Sequence, residues 1–245
     1  MKMVSQSFSI GLPPVEAHKL TQNKAGIELQ GNQAGGESRL LDVNIWLPRA
    51  SEHYKISGDI RDYVIIPVPS IITSIPNTNG DSASFRELTR FHPDYGMLAY
   101  RTWVGKPTFV EHDNRDITKA KGVILDTYLR PLPRYPKLAK LVKLLAFDRT
   151  KDPILVNRIL KNEVSTYSMG MYYSSYTCSI CGTRAGKGIG RPCTHTKPMR
   201  PTYQQADGRL AYRMCENLIG FETSVVADPA YISAQSNLVT DISRF

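Results

Sequence analysis

A serine hydroxyl becomes a useful nucleophile only with a base beside it, so Ser168 and His112 are the first residues to weigh. Ser168 lies in Tyr167-Ser168-Met169-Gly170-Met171-Tyr172-Tyr173, a stretch whose side chains alternate between two faces when extended. Tyr167, Met169, Met171 and Tyr173 then share an apolar face, while Ser168 points the other way with Gly170 and Tyr172 along its row. A small residue two places beyond a nucleophile leaves room for a carbonyl substrate. That makes Gly170 the candidate for the substrate cleft, where backbone N–H groups can meet a developing oxyanion. His112 stands in Phe109-Val110-Glu111-His112-Asp113-Asn114, a strand end running into a turn, where an imidazole of ordinary pKa, about 6.5, suits general-base work. Either feature alone is commonplace, since most Ser-x-Gly serines are ordinary strand residues and most turn histidines simply face solvent. His18, His53 and His92 are weaker candidates, in arm- or loop-like surroundings.

A second chemistry is written in Cys178-Ser179-Ile180-Cys181, an eleven-residue loop, and Cys193-Thr194-His195. Two close pairs of thiolate and imidazole ligands suit a tetrahedral zinc ion. Gly182, Gly186, Gly188 and Gly190 let the loop fold back. The set has no vacant position, so the predicted Zn2+ is structural. Cys215 reads as a small buried hydrophobe, with a role as fourth ligand in place of His195 as the alternative. The segment from Cys178 to Arg200 carries five Lys or Arg and no acid, a solvated basic loop in its simplest reading.

These residues need elements to hold them. Residues 1 to about 45 are rich in Gln, Asn and Gly and read as a flexible arm or pro-segment. LLDVNIWL (40–47) begins a strand-like pattern, and DYVIIPVPSIITSI (62–75) is β-branched, with Pro67 and Pro69 pointing to a bulge or an edge. GMLAYRTWVGKPTFVEHDN (96–114) reads as two short strands and GVILDTYL (122–129) as another. In PKLAKLVKLLAF, Leu138, Leu141, Val142 and Leu145 fall at helical spacing, predicting an amphipathic helix with its lysines outside. Asp152-Pro153 caps a second helix over ILVNRILKN. The serine strand, the Cys-rich insert (177–200) and two further strands within 209–234 follow, then a polar tail at 237–245.

In combination the motifs are far more specific. The ordered set NTNGDSASFRELTRF, GKPTFVEHDNRDITKAKGVILD, STYSMGMYYSSYTCSICG and FETSVVADPAYISA resembles the bacteriophage prohead (capsid-assembly) serine proteases, a family related in fold to the herpesvirus assemblins. The resemblance matches His112-Asp113 and Gly122 to the family's His-Asp and strand-opening glycine, and Ser168-Met169-Gly170 to its nucleophile strand. Glu222, Ser224, Val226, Pro229 and Ala230 match its closing segment. It implies a mainly β domain with flanking helices (α+β) over 46–236, an assemblin-like closed β-barrel with the zinc insert. It also implies a serine endopeptidase in which Ser168 attacks, His112 shuttles the proton and an acid orients the ring. Glu222 is the preferred acid and Asp113 the alternative.

The resemblance further implies scaffold, core and capsid proteins as substrates inside the assembling head in the host cytoplasm. Autocatalytic cleavage would then fall in the arm, at Gly26-Ile27-Glu28 or Gly35-Gly36-Glu37. Homo-oligomerisation and nucleic-acid contact stay open. Composition agrees in outline: 245 residues can bury a real core, and a net charge of +9 favours acidic partners. No apolar run reaches the roughly 20 residues of a membrane span, and the N-terminus lacks a secretory apolar segment, so a soluble protein working inside a cell is expected. The competing reading is a catalytically inactive, head-associated structural or nucleic-acid-binding zinc protein of the same fold.

Overall fold

The computed structural model describes residues 43–196, 203–204, 208–231, 233–236 and 240–241. The two arm cleavage motifs and His18 lie outside them.

The chain builds a curled seven-stranded sheet in the order β15-β1-β7-β6-β5-β14-β8. Its strands are β1 (Tyr63–Ile72), β5 (Pro107–Val110), β6 (Gly122–Leu132), β7 (Tyr135–Asp148), β8 (Tyr167–Tyr172), β14 (Ile219–Val225) and β15 (Thr240–Asp241). All neighbours are antiparallel except β5 and β14, which run parallel. β8 packs near β1 without a hydrogen-bonded ladder among the described residues. The result is a half-barrel; among the described residues no ladder joins its two edges into the closed barrel expected from the sequence. Inside the curl, Val64, Ile66 and Val68 of β1 meet Leu141, Leu145 and Phe147 of β7 and Tyr167, Met169 and Met171 of β8.

Helix α1 (Val43–Tyr54) covers the outer face. Its Trp46, Leu47, Ala50 and Tyr54 pack with Tyr63, Phe109, Ala120, Val123 and Ala146. This corrects the strand-like reading of 40–47 over residues 43–47, the part that lies within the described residues. The spacing of Trp46, Leu47, Ala50 and Tyr54 is helical only when followed past Pro48, a residue that argues against a helix when the sequence is read alone. The short helix α2 (Phe85–Leu88) is capped by Ser84, whose hydroxyl accepts from Glu87 N–H.

The helix expected over PKLAKLVKLLAF (136–147) is instead β7. Sheet neighbours on both sides and buried side chains on both faces make its apolar run continuous, a pattern that a helix and a doubly covered strand share. Helix α3 (Pro153–Leu160) forms as the sequence indicates. Asp152 accepts from Leu155 N–H at 2.9 Å, and Leu155, Val156 and Ile159 close the inner core.

In β1, Pro67 and Pro69 lie beyond Val64 and Ile65, the residues that β15 pairs among the described residues, and a register shift follows Pro69. Such an irregularity is one of the devices that tolerate proline in a sheet. The first strand of 96–114 shrinks to β4 (Met97–Leu98), paired with β3 (Phe91–His92), and runs into a 3₁₀ turn at Ala99–Trp103. Within the segment read as a polar tail, Thr240–Asp241 add β15 to the sheet edge.

A second, four-stranded sheet (β10-β9-β13-β2) carries the cysteine insert. It consists of β2 (Asp81–Ser82), β9 (Ser175–Cys178), β10 (Arg184–Gly186) and β13 (Arg213–Glu216). A buried ion pair, Arg213 Nε to Asp81 Oδ1 at 2.7 Å, ties β13 to β2. A small ladder of β11 (Tyr203–Gln204) and β12 (Leu210–Ala211) completes the strands. No helix among the described residues is long and apolar enough to cross a membrane.

Candidate functional site

Three neighbouring strands bring the site together. β14 lies between β5 and β8, with Ser224 opposite Phe109 on one side and opposite Ser168 on the other. Directly opposed residues of an antiparallel pair project to the same face. Ser168, Gly170, Glu222 and Ser224 therefore share one face, and Met169 and Thr223 share the other.

Glu111 and His112 both take left-handed backbone angles, φ 48° and 56°. Such a conformation costs non-glycine residues on the order of 1 kcal/mol or more each. Its hold is local: Glu111 N–H donates to Val225 O, Asp113 N–H to Val110 O, and the Glu111 carboxylate accepts from Ala227 N–H at 2.8 Å. The turn swings the His112 ring back over β14, where Nδ1 lies 2.9 Å from Glu222 Oε1. Glu222 is fully buried, and its other oxygen accepts from Ser224 Oγ at 2.6 Å. A buried carboxylate bonded through both oxygens fixes the ring. With Glu222 accepting at Nδ1, the neutral tautomer carries its proton there and leaves Nε2 free to accept. Burial works to lower the pKa of His112. The hydrogen bond and charge of Glu222, helped by Glu111, outweigh it and leave the imidazole above its ordinary value.

The other acid, Asp113, turns outward and pairs with Lys119 at 2.7 Å. Ser168 is buried at 7% exposure on the same face as Glu222 and Ser224, one strand beyond them from His112. Its hydroxyl has no hydrogen-bond partner among the described residues, so the serine and histidine are not directly bonded here. His53 and His92 lie elsewhere, each against a tyrosine ring.

Gly170 has a reason the sequence did not supply. A Cβ there would lie 2.3 Å from the Phe221 ring and 2.6 Å from Glu222 Oε1. The space above the glycine is thus filled by Glu222 and Phe221 rather than kept open for a substrate. Phe221 arrives there because the β14 register shifts between Gly220 and Glu222. Simple alternation puts Phe221 and Glu222 on opposite faces; the bulge brings the ring to the Gly170 side, stacked on Tyr172 at 4.4 Å.

Lys143 on β7 is a site residue that sequence reasoning missed, because helical spacing puts it on the exposed side of a helix. It is fully buried on the core face, donates to Thr223 Oγ1 at 2.6 Å and sits 5.4 Å over the Trp103 ring. Burial pulls its pKa down to about 7, and the charge of Glu222 opposes that shift. It lines a cavity of about 20 Å³, room for a single water, with Thr223, Asp81 and Tyr231. Ser168 also borders this cavity, but Lys143 is bonded to Thr223, which faces the opposite way from Ser224, the β14 residue that Ser168 opposes.

In the insert, the ligand atoms of Cys178, Cys181, Cys193 and His195 all lie within 4.8 Å of one another. Together they can hold a metal ion, and the donor set of three thiols and an imidazole suits zinc. Ile180 N–H donates to Cys178 Sγ, and side-chain and backbone hydrogen bonding with Thr183 pulls the Cys181 thiol down to about 6, favouring the thiolate that a metal needs. Cys215 stays apart, its Sγ 3.6 Å from Asp81 Oδ1. Glu216 anchors the insert by accepting from Ser175, Thr177 and Arg184. Comparisons with protein-family models, with curated proteins and with solved structures found no match for this chain.

Proposed function

We propose that this protein is a serine endopeptidase of the prohead-maturation type, with Ser168 as nucleophile, His112 as general base and Glu222 as the orienting acid. The observation that carries this reading is the 2.9 Å contact of His112 Nδ1 with the buried Glu222 carboxylate, on the face that also bears Ser168. Structural histidines on strand ends have no need of two strained residues and a desolvated carboxylate to fix one ring nitrogen.

In the reaction, His112 Nε2 takes the Ser168 proton as Oγ attacks the scissile carbonyl, and Glu222 stabilises the resulting imidazolium. The imidazolium then protonates the leaving amine as the C–N bond breaks, leaving an acyl-serine. Water, deprotonated by the same imidazole, releases the new carboxylate and restores the serine. Closing the Ser168–His112 contact is the step that substrate must induce, since catalytic hydrogen bonds often tighten only in the bound complex.

The substrates in this reading are scaffold, core and capsid proteins, and a structural zinc on the Cys178, Cys181, Cys193 and His195 set braces the sheet that follows the serine strand. An active-site fluorophosphonate probe tests the nucleophile. Wild type should be labelled at Ser168, and neither His112→Ala nor Ser168→Ala should be. Labelling elsewhere, or none under conditions where the protein is folded, rejects the assignment.

A further inference from the structure

β6 and β7 outrun the rest of the sheet. The ladder from β1 to β7 ends at Ile72 opposite Lys140, with Thr73 N–H on Ala139 O just beyond, whereas β6 and β7 stay paired to Leu132 opposite Tyr135. The projecting ribbon is strongly one-signed. From Thr127 to Phe147 the chain holds Arg130, Arg134, Lys137, Lys140 and Lys143 and no carboxylate. Arg130, Arg134 and Lys137 are exposed, and so are Tyr128 (40%) and Tyr135 (61%).

Arg130 lies directly opposite Lys140 across the two strands. Like charges in that relation destabilise a sheet. Among the described residues neither cation, nor Arg134 or Lys137, has an ion-pair partner. A ribbon that sets cations face to face with no acid between them presents a site for repeated external anions. The two exposed tyrosines decide which polymer. Bases stack on such rings without regard to sequence, whereas an acidic peptide would satisfy the cations and leave the rings unused.

We propose that the β6–β7 ribbon is a nucleic-acid-binding surface, with Arg130, Arg134, Lys137 and Lys140 on phosphates and Tyr128 and Tyr135 on bases. It is separate from the candidate catalytic site. β5 runs toward His112, and β6, antiparallel to it from Gly122 opposite Thr108, runs the other way. The ribbon tip is therefore at the opposite end of the strands from His112, and this surface is independent of the protease reading.

The test is fluorescence anisotropy of the full chain with a labelled single strand of about 20 nucleotides and with its duplex, over about 50 to 200 mM salt. Three proteins are compared: wild type, the quadruple variant R130Q/R134Q/K137Q/K140Q and the double variant Y128A/Y135A. The quadruple variant should bind at least tenfold more weakly at the lower salt, with a log–log salt slope shallower by about 3. The tyrosine variant should lose at least about fivefold on the single strand and less on the duplex. Circular dichroism and an unlowered Tm establish that the variants fold, and peptide cleavage by the quadruple variant should equal that of wild type. No binding by wild type overturns the proposal, as does equal binding by a folded quadruple variant. Tighter binding of a polyglutamate peptide than of an oligonucleotide of equal charge would reassign the ribbon to acidic polypeptides.

Discussion

Glu222 lies between two titratable groups on opposite faces of the sheet. On one face it holds His112, and through the sheet its charge reaches Lys143. The His112 pKa is raised on folding, so its contribution to stability is present in acid and is lost as the pH rises through the folded value. The Lys143 pKa is depressed to about 7, so burial disfavours its charged form and stability falls as the pH drops toward that value. In Glu222→Gln the burial remains while the hydrogen-bonded charge goes, so His112 should titrate below its wild-type value. Cleavage should fall by about 10³ to 10⁴ with the fold intact. Lys143→Met removes a positive field and should move His112 upward, while stabilising the fold below neutral pH by on the order of 1 to 4 kcal/mol. The imidazole Cε1 proton resonance followed against pH reads both shifts. Shifts in the same direction, or none, would show that His112 does not feel these groups.

At the scale of elements, legibility in the sequence followed how locally each element is determined. The Asp152-Pro153 cap and the strands at Ser168 and Gly122 are written in a few adjacent residues, and they form where the sequence places them. β7 and α1 differ from the local pattern because their neighbours decide them. Leu138, Leu141, Val142 and Leu145 suit either a helix or a strand covered on both faces, and only partners far along the chain choose between the two. That choice also hid Lys143. The Phe221 bulge was equally invisible, since no residue type announces it, and with it went the true reason for Gly170. The cysteine set was legible from spacing alone, because short spacings constrain ligand geometry directly. If zinc fills it, elemental analysis of the purified protein should find about one equivalent of zinc. Chelation, or Cys181→Ser with Cys193→Ser, should then lower Tm by at least several degrees, a loss that added zinc reverses only in wild type. A metal-free protein with an unchanged Tm would make the four residues a reduced thiol cluster.

At the scale of the whole molecule, the half-barrel assigns a different task to each side of one sheet. Its inner face holds the apolar core and the buried Lys143, and α1 seals part of the outside. At one end of β14 a strained turn aims His112 at Glu222, with Ser168 one strand away; at the other end of the sheet β6 and β7 project as a basic ribbon. A non-catalytic zinc protein of the same fold would keep the core, the insert and the ribbon, and differs from a protease only at the serine. The decisive measurement is therefore cleavage of a head scaffold protein by wild type and by Ser168→Ala, read by intact-mass spectrometry. The account predicts discrete fragments with wild type and none with the variant, at equal Tm. Identical fragments from both proteins, or none from a folded wild type under assembly-like conditions, would contradict it.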